Sequence, residues 1–405
     1  MKTHPLLKLQ SDLKTELFEN ILPYWHRLRT TDSFISALDS ANQPMANVDL
    51  GVIMVSRLLW TYSRAFHLYG NPECKALADH AKHVLTTRFE DKEHGGYYWT
   101  VDASGQAAES KKQCYAQAFC IYAFSEHFQA TGESDSLERA EKLFDLVEAK
   151  AWDSQKGGYL ETFSADWTPL EKMRLGAEDL DAPKTMNNHL HLIEAFANLQ
   201  KIAPSEKVEA SCRRILRVIA DRIILGDQPR FGLFYDMDWK LLDPVVSPGH
   251  DIEGSWLLHE AAEIVGDSDL IGEFEKLAIE MAELVLATGI DPKDNGLYDE
   301  FHNENPQSAT KCWWPQAEGM VGFFNAYQIS GDKRFLEASS VIWEYIQDFI
   351  IEKENGEWLW GVNADGTAME KEKAGPWKSS YHNARACFEM IERIDKALPT
   401  LPDEL

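Results

Sequence analysis

The sequence predicts an all-α protein, an (α/α)6 barrel of six helical hairpins with short β-hairpin loops gathered at one mouth. Three observations carry that prediction. A glycine-plus-aromatic phrase recurs at Gly95-Gly96-Tyr97-Tyr98-Trp99, Gly157-Gly158-Tyr159, Phe231-Gly232-Leu233-Phe234-Tyr235, Asn295-Gly296-Leu297-Tyr298 and Asn355-Gly356-Glu357-Trp358. From Gly96 to Gly356 the steps are 62, 74, 64 and 60 residues. A second series of short turns runs out of phase with the first, and long segments of helical apolar period lie between them.

The elements follow in chain order. Stepping back 62 residues from Gly96 reaches Ser33-Phe34-Ile35, which sets Asp39 level with Asp102 and makes six units. The short turns are Gly70-Asn71-Pro72-Glu73, Gly132-Glu133-Ser134-Asp135, Ala203-Pro204-Ser205-Glu206, Gly266-Asp267-Ser268-Asp269 and Gly331-Asp332-Lys333. Glycine ends one helix in the left-handed conformation, and Asn, Ser or Asp caps the free N–H groups of the next. Helices are expected over 52–69, 113–129, 208–225, 273–286, 321–329 and 335–350. The Gly–aromatic phrases suit strands and turns, so they are expected as short hairpins. A unit of about sixty residues cannot bury its apolar face alone, so the units must stack. Closure is favoured over an open solenoid, because a solenoid needs polar capping repeats and neither end differs from the middle. Residues 1–405 are thus expected to form a single domain with all the long loops at one end.

Composition bounds the function. Lys and Arg number 40 against 66 Asp and Glu, a formal charge of −26, which repels phosphate backbones and anionic membranes. No basic run offsets it, so neither nucleic acid nor membrane is an expected partner. Charges break every apolar stretch near the N-terminus, and no signal peptide or span is read there. Six cysteines are scattered without a CxxC pair and are expected as reduced thiols in a cytoplasmic protein, a monomer or weak homo-oligomer. No nucleotide-binding glycine motif, GxSxG elbow or HExxH helix occurs.

Polar residues collect where helices begin after the long loops. These starts read Lys184-Thr185-Met186-Asn187-Asn188-His189-Leu190-His191, Gly249-His250-Asp251-Ile252-Glu253, Trp313-Trp314-Pro315-Gln316-Ala317-Glu318 and Trp377-Lys378-Ser379-Ser380-Tyr381-His382-Asn383. Histidine titrates near neutrality and suits general acid–base work, although any one could be a capping or packing histidine. His250 and Glu253 are three apart on one helical face, so the carboxylate is expected to orient the imidazole. His189 and His191 stand about 200° apart around a helix, which argues against a chelating pair and lets only one face a cavity. No metal site is expected. Trp313, Trp314, Trp377 and Tyr115 either line a cleft and stack on sugars or fill the core; adjacent Trp313 and Trp314 cannot share one core stripe. Arg57 interrupts an apolar helix, either snorkelling or aimed at an anion or oxygen in a cavity. Proton transfer on a neutral polar ligand fits this residue set best.

At these phrases the sequence resembles the N-acylglucosamine 2-epimerase superfamily, and within it the cellobiose 2-epimerase branch, over Leu13 to Arg393. The resemblance implies an (α/α)6 barrel without cofactor. It further implies inversion at C2 of the reducing-end glucose or mannose of β-1,4-linked disaccharides, cellobiose becoming 4-O-β-D-glucosyl-D-mannose. The ring opens, a base removes the acidified C2 proton to give a cis-enediolate, and a proton returns on the other face. By resemblance, His250 and His382 are the two acid–base residues, Glu253 tunes His250, and Arg57 and His191 hold O1 and O2. Tyr115 and Asn187 position hydroxyls, Trp314 and Trp377 stack on the sugars, and Glu318 joins the substrate-binding set. Ser379-Ser380 stands where many disaccharide-acting relatives carry Cys-Pro. The alternatives are a mannobiose or mannose 2-epimerase, an aldose–ketose isomerase, an inverting glycoside hydrolase using Glu253, Glu318, Asp179 or Asp181, and a non-catalytic sugar-binding protein.

Overall fold

A computed structural model describes residues 5–176, 179–226, 228–302 and 310–398. Six helices, buried on nearly every face over their N-terminal halves, form an inner ring: Val52–Tyr69, Cys114–Thr131, Met186–Ile202, Pro248–Val265, Trp313–Ser330 and Tyr381–Ala397. Residues 52–63 are buried without a break, as a helix packed on all sides requires. Each inner helix packs on the next, and the last returns to the first, which closes the ring. Helices beginning at Pro5, Pro72, Ser134, Glu206, Ser268 and Lys333 flank it on the outside. Their amphipathic patterns bury one stripe against the ring, as Val208, Ser211, Cys212 and Ile215 do on Glu206–Val218. Several of them pass into i→i+5 bonded turns, at Glu16–Ile21, Leu85–Phe89, Ile219–Ile223 and Ile346–Ile350.

The short turns behave as their sequences require. Gly70, Gly132, Gly266 and Gly331 all hold φ between 66° and 75°, the left-handed region that a Cβ opposes. Asn71, Ser205, Asp267 and Asp332 then accept backbone N–H groups of the following helix. Glu133 is the exception: it occupies the cap position without capping the helix, its carboxylate accepting from Lys75 and Lys82 instead.

The Gly–aromatic phrases are hairpins with one recurring bridge, seen at Glu90–Tyr97, Trp152–Tyr159, Ile224–Phe231, Ile290–Leu297 and Ile351–Trp358. Arg29 pairs with Phe34 in the same way, so the sixth unit is real. Asp39 accepts the backbone N–H of Ala41 and Gln43, as Asp102 accepts those of Ser104 and Gln106. Two-residue strands before the inner helices pair antiparallel with the next unit's loop, as Lys112–Gln113 does with Thr162–Phe163 and Lys184–Thr185 with Phe234–Tyr235. Buried lysines lock the same places: Lys112 on Asp91 at 2.7 Å, Lys184 on Asp153 at 2.8 Å and Lys311 on Asp291 at 2.8 Å. These three mouth loops are therefore tied to their own hairpins by an ion pair and to their neighbours by a strand ladder. The six cysteines are free and buried. Among the described residues, no helix is long and apolar enough to cross a membrane.

Candidate active site

The loops and inner-helix starts at the mouth enclose a cavity of about 440 Å³. Arg57, Tyr115, Asn187, His191, His250, Glu253, Trp314, Trp377 and His382 all line it, as do Trp313 and Trp360. Four of their helices begin directly at the end of a paired strand, and the other two follow single bridges at Val246 and Ala374, which brings their starts together. Glu318 is the exception. It is 1% exposed and lies behind His382, so the expected sugar contact from Glu318 is replaced by a hydrogen-bonding role. Asp179 lines the cavity and accepts the Gly176 N–H at 2.6 Å, while Asp181 caps the backbone at Met173.

Of the two histidines on Met186–Ile202, one faces inward. His191 lines the cavity, with Nδ1 2.8 Å from Glu194 Oε2. His189 is fully buried elsewhere, its Nδ1 on the Thr185 carbonyl and its Nε2 accepting from the Tyr159 backbone. Burial, against the Thr185 bond, lowers its pKa to about 4. The neutral ring is therefore part of the folded state, whereas the unfolded ring protonates near 6.5. The stability contributed by His189 is full above about pH 6.5 and falls as pH drops from 6.5 toward 4, by about 3 kcal/mol in all. Urea denaturation between pH 4.5 and 7.5 is expected to show a steeper loss for wild type than for His189→Gln; equal slopes would contradict this.

A layer of charge lies behind the cavity. Arg385, 1% exposed, donates to Glu253 at 2.5 Å and to Glu318 at 2.7 Å, and also bonds Glu194 and Tyr381. Glu318 in turn holds His382 Nδ1 at 2.7 Å and the Trp256 indole N–H at 3.2 Å. Burial opposes ionisation of Glu194, but Arg385, His191 and Tyr381 outweigh it and hold the carboxyl at about 2. Burial, reinforced by Glu318, pushes Glu253 up to about 7. Glu253, Glu318 and His382 sit close enough to suggest cation ligands. Their facing atoms already serve Arg385 and one another, so the site is charge-compensated from within.

Glu253 is not the partner of His250. The i,i+3 spacing places both on one face, but the Glu253 carboxylate turns to Arg385 and lies 4.0 Å from His382 Nδ1. His250 Nδ1 instead meets the Ser247 hydroxyl at 2.8 Å. Burial, then His191, lowers the His250 pKa to about 3. Burial, then Arg57 and Arg385, holds His382 well below its usual value. Both imidazoles are neutral at pH 7, and neither Nε2 bonds another described residue. Trp314 packs against both, with ring centroids 4.6 Å from His250 and 5.7 Å from His382. Trp313 packs edge-on against Trp360 at 4.8 Å, so the adjacent tryptophans reach the cavity with different ring partners.

Arg57 faces the cavity rather than snorkelling. It donates to the Tyr115 hydroxyl at 2.8 Å and the Trp377 carbonyl at 3.2 Å, and stacks 4.3 Å from the Phe119 ring centre. It has no carboxylate partner among the described residues, and its Nε is buried without an acceptor. Asn187 Oδ1 is likewise buried and unpartnered. A buried cation beside two neutral imidazoles is an arrangement that accepts protons and stabilises a developing oxyanion.

Glu194, Arg385 and Ser247 were not singled out from sequence. Two of them carried a signal: Glu194 follows His191 by three residues, and Arg385 follows His382 by three.

Comparison with known proteins agrees with this architecture. The profile of the N-acylglucosamine 2-epimerase (GlcNAc 2-epimerase) family matches residues 33–386. A cellobiose 2-epimerase of Bacteroides fragilis is 37% identical over 388 residues, 95% of this chain and 98% of that protein. One from Ruminococcus albus is 37% identical over 387 residues, covering 95% and 98%. The structure of cellobiose 2-epimerase from Bacillus thermoamylovorans superposes with a TM-score of 0.91 at 32% identity, over 96% of this chain and all of that one. By profile and by identity across nearly its whole length, the chain belongs to the N-acylglucosamine 2-epimerase family.

Proposed function

We propose that this chain, a sugar 2-epimerase by its relatives, interconverts reducing-end glucose and mannose in β-1,4-linked disaccharides, with cellobiose giving 4-O-β-D-glucosyl-D-mannose. The observation that carries the reading is the pair of neutral histidines, His250 and His382, sharing one cavity with the unpaired Arg57. Ring opening moves the O1 proton to the ring oxygen and exposes the aldehyde, which acidifies C2. One Nε2 takes the C2 proton, and the electron pair passes to O1 to give the cis-enediolate. Arg57 and His191 meet the charge growing on O1 and O2; preorganised donors of this kind contribute several kcal/mol. The second imidazole first takes up a proton from solvent and delivers it to the opposite face of C2, and the first then loses the abstracted proton to solvent, which restores the resting pair. A His382 imidazolium would be balanced by Glu318 at 2.7 Å and Glu253 at 4.0 Å. Trp314 and Trp377 offer apolar ring faces to the sugars, and Asn187 and Tyr115 offer hydroxyl partners.

Glycoside hydrolysis is less favoured. An inverting hydrolase separates its carboxyls by about 6.5–9.5 Å across the scissile bond. Glu253 and Glu318 instead present oxygens within 4.8 Å of one another and share the same arginine nitrogen. A panel of cellobiose, mannobiose, lactose, mannose and glucose, with products resolved by chromatography, tests the substrate class. Mannose-type disaccharide from cellobiose is expected. Reaction of monosaccharides alone would overturn the disaccharide reading, a ketose product would move it to isomerisation, and free glucose to hydrolysis.

A further inference from the structure

Ser247 occupies the N-cap position of Pro248–Val265, where a serine ordinarily accepts a backbone N–H of the first turn. Here it makes no such bond. Its hydroxyl is diverted to His250 Nδ1 at 2.8 Å. On the far side of that hydroxyl stands Glu300, from the loop after the fifth hairpin. The Glu300 carboxyl comes within 3.9 Å of the same Nδ1, and Ser247 lowers its pKa as a hydroxyl donor facing it does. No other polar group contacts His250 Nδ1 among the described residues.

We propose that Ser247 and Glu300 are positioning residues that fix the tautomer of His250 and so make its Nε2 the proton acceptor. A hydroxyl carries one proton and can point it at only one neighbour. The Glu300 carboxylate only accepts, so the Ser247 proton turns to it. Ser247 Oγ is then left to accept from Nδ1–H, and the Nε2 lone pair faces the cavity. If the hydroxyl instead donated to Nδ1, Nε2 would carry the hydrogen and could not abstract a proton. The arrangement replaces the local carboxylate, Glu253, that helical spacing suggested.

The surroundings of Glu300 are acidic. Burial, then Asp299, Asp179 and Asp243, raise its pKa to about 8, while Ser247 lowers it. Asp243 is itself paired with His302 at 3.2 Å. Glu300 is 45% exposed, which brings solvent to relieve that crowding. The relay runs in this direction while Glu300 is ionised, so the tautomer is read at a pH above its titration, and Nδ1–H of His250 is expected to give way to Nε2–H as pH falls through it.

The inference rests on the epimerase reading only for its kinetic consequence; the tautomer is measurable without any sugar. Nitrogen-15 correlation spectra of the free protein, with His250 assigned by comparison with His250→Asn, report which nitrogen bears hydrogen. Wild type and Glu300→Asp are expected to show Nδ1–H. In Glu300→Gln the amide can donate to Ser247, which turns the hydroxyl toward His250 and shifts the ring to Nε2–H. Ser247→Ala is expected to give a mixture, and Ser247→Thr to restore Nδ1–H. With cellobiose, Glu300→Gln and Ser247→Ala are expected to lower kcat about tenfold or more with KM changed less than twofold. An Nε2–H tautomer in wild type, or Gln and Ala variants with unchanged spectra and kcat, would overturn the proposal. Altered spectra with no reaction of any sugar in wild type would instead overturn the function.

Discussion

His382→Asn is expected to lower turnover by about 10²–10⁴-fold, the range that a positioned acid–base group contributes, while the protein stays folded and still binds sugar. The choice of asparagine matters. Its amide N–H can take the place of Nδ1–H toward Glu318 Oε1, now 2.7 Å from the ring, so the buried carboxylate keeps its donor. What disappears is Nε2, the atom that faces the cavity. Arg57, Trp314 and Trp377 are untouched, so KM should change little. Steady-state kinetics with cellobiose, together with a melting curve, check both halves. A variant that keeps more than a tenth of wild-type turnover would show that His382 is only a hydrogen-bonding residue.

Arg385→Met is expected to destabilise the fold by about 3–5 kcal/mol, the cost of stripping one partner from a buried ion pair. The arginine serves three carboxylates at once: Glu194, Glu253 and Glu318. Methionine keeps much of the volume and none of the charge, so those groups would face one another in a buried floor. Adding Glu253→Gln and Glu318→Gln to Arg385→Met should recover part of the loss, because two of the three charges leave with the cation. Chemical denaturation of the single and triple variants measures this. A single variant as stable as wild type, or a triple variant less stable than the single one, would contradict the view that charge balance holds the floor.

The barrel was readable because its punctuation is chemical. Left-handed glycines and helix caps recur at the short turns, and an aromatic hairpin recurs at each long loop. Even the weakest unit, at Ser33-Phe34-Ile35, repeats both the bridge and the Asp39 turn. The location of His250, His382 and one of His189 and His191 followed from the same logic, since inner-helix starts must ring the mouth; Arg57 was open between snorkelling and the cavity until its partners were placed. Their partners did not follow. Spacing of three residues fixes a shared helical face but leaves the rotamer open, and Arg385 outcompetes His250 for Glu253. For His191 and Glu194 the same spacing does give the bond, at 2.8 Å, because both side chains turn to one side. Glu300 reaches His250 from a loop 50 residues further along the chain, a contact set by tertiary packing alone. The buried lysines before the inner helices were legible in principle. Lys112, Lys184 and Lys311 each lie two residues ahead of a helix start, but a lysine there reads as a surface residue until its carboxylate is placed.

The central claim is that protons move at C2. Proton NMR of the protein with cellobiose in D2O at neutral pH tests it most directly. The account predicts a mannose-type reducing end carrying deuterium at C2, formed by wild type and lost in His382→Asn. Conversion to the mannose-type disaccharide with C2 hydrogen fully retained would contradict exchange through two imidazoles, as would deuterium incorporation that persists undiminished without His382.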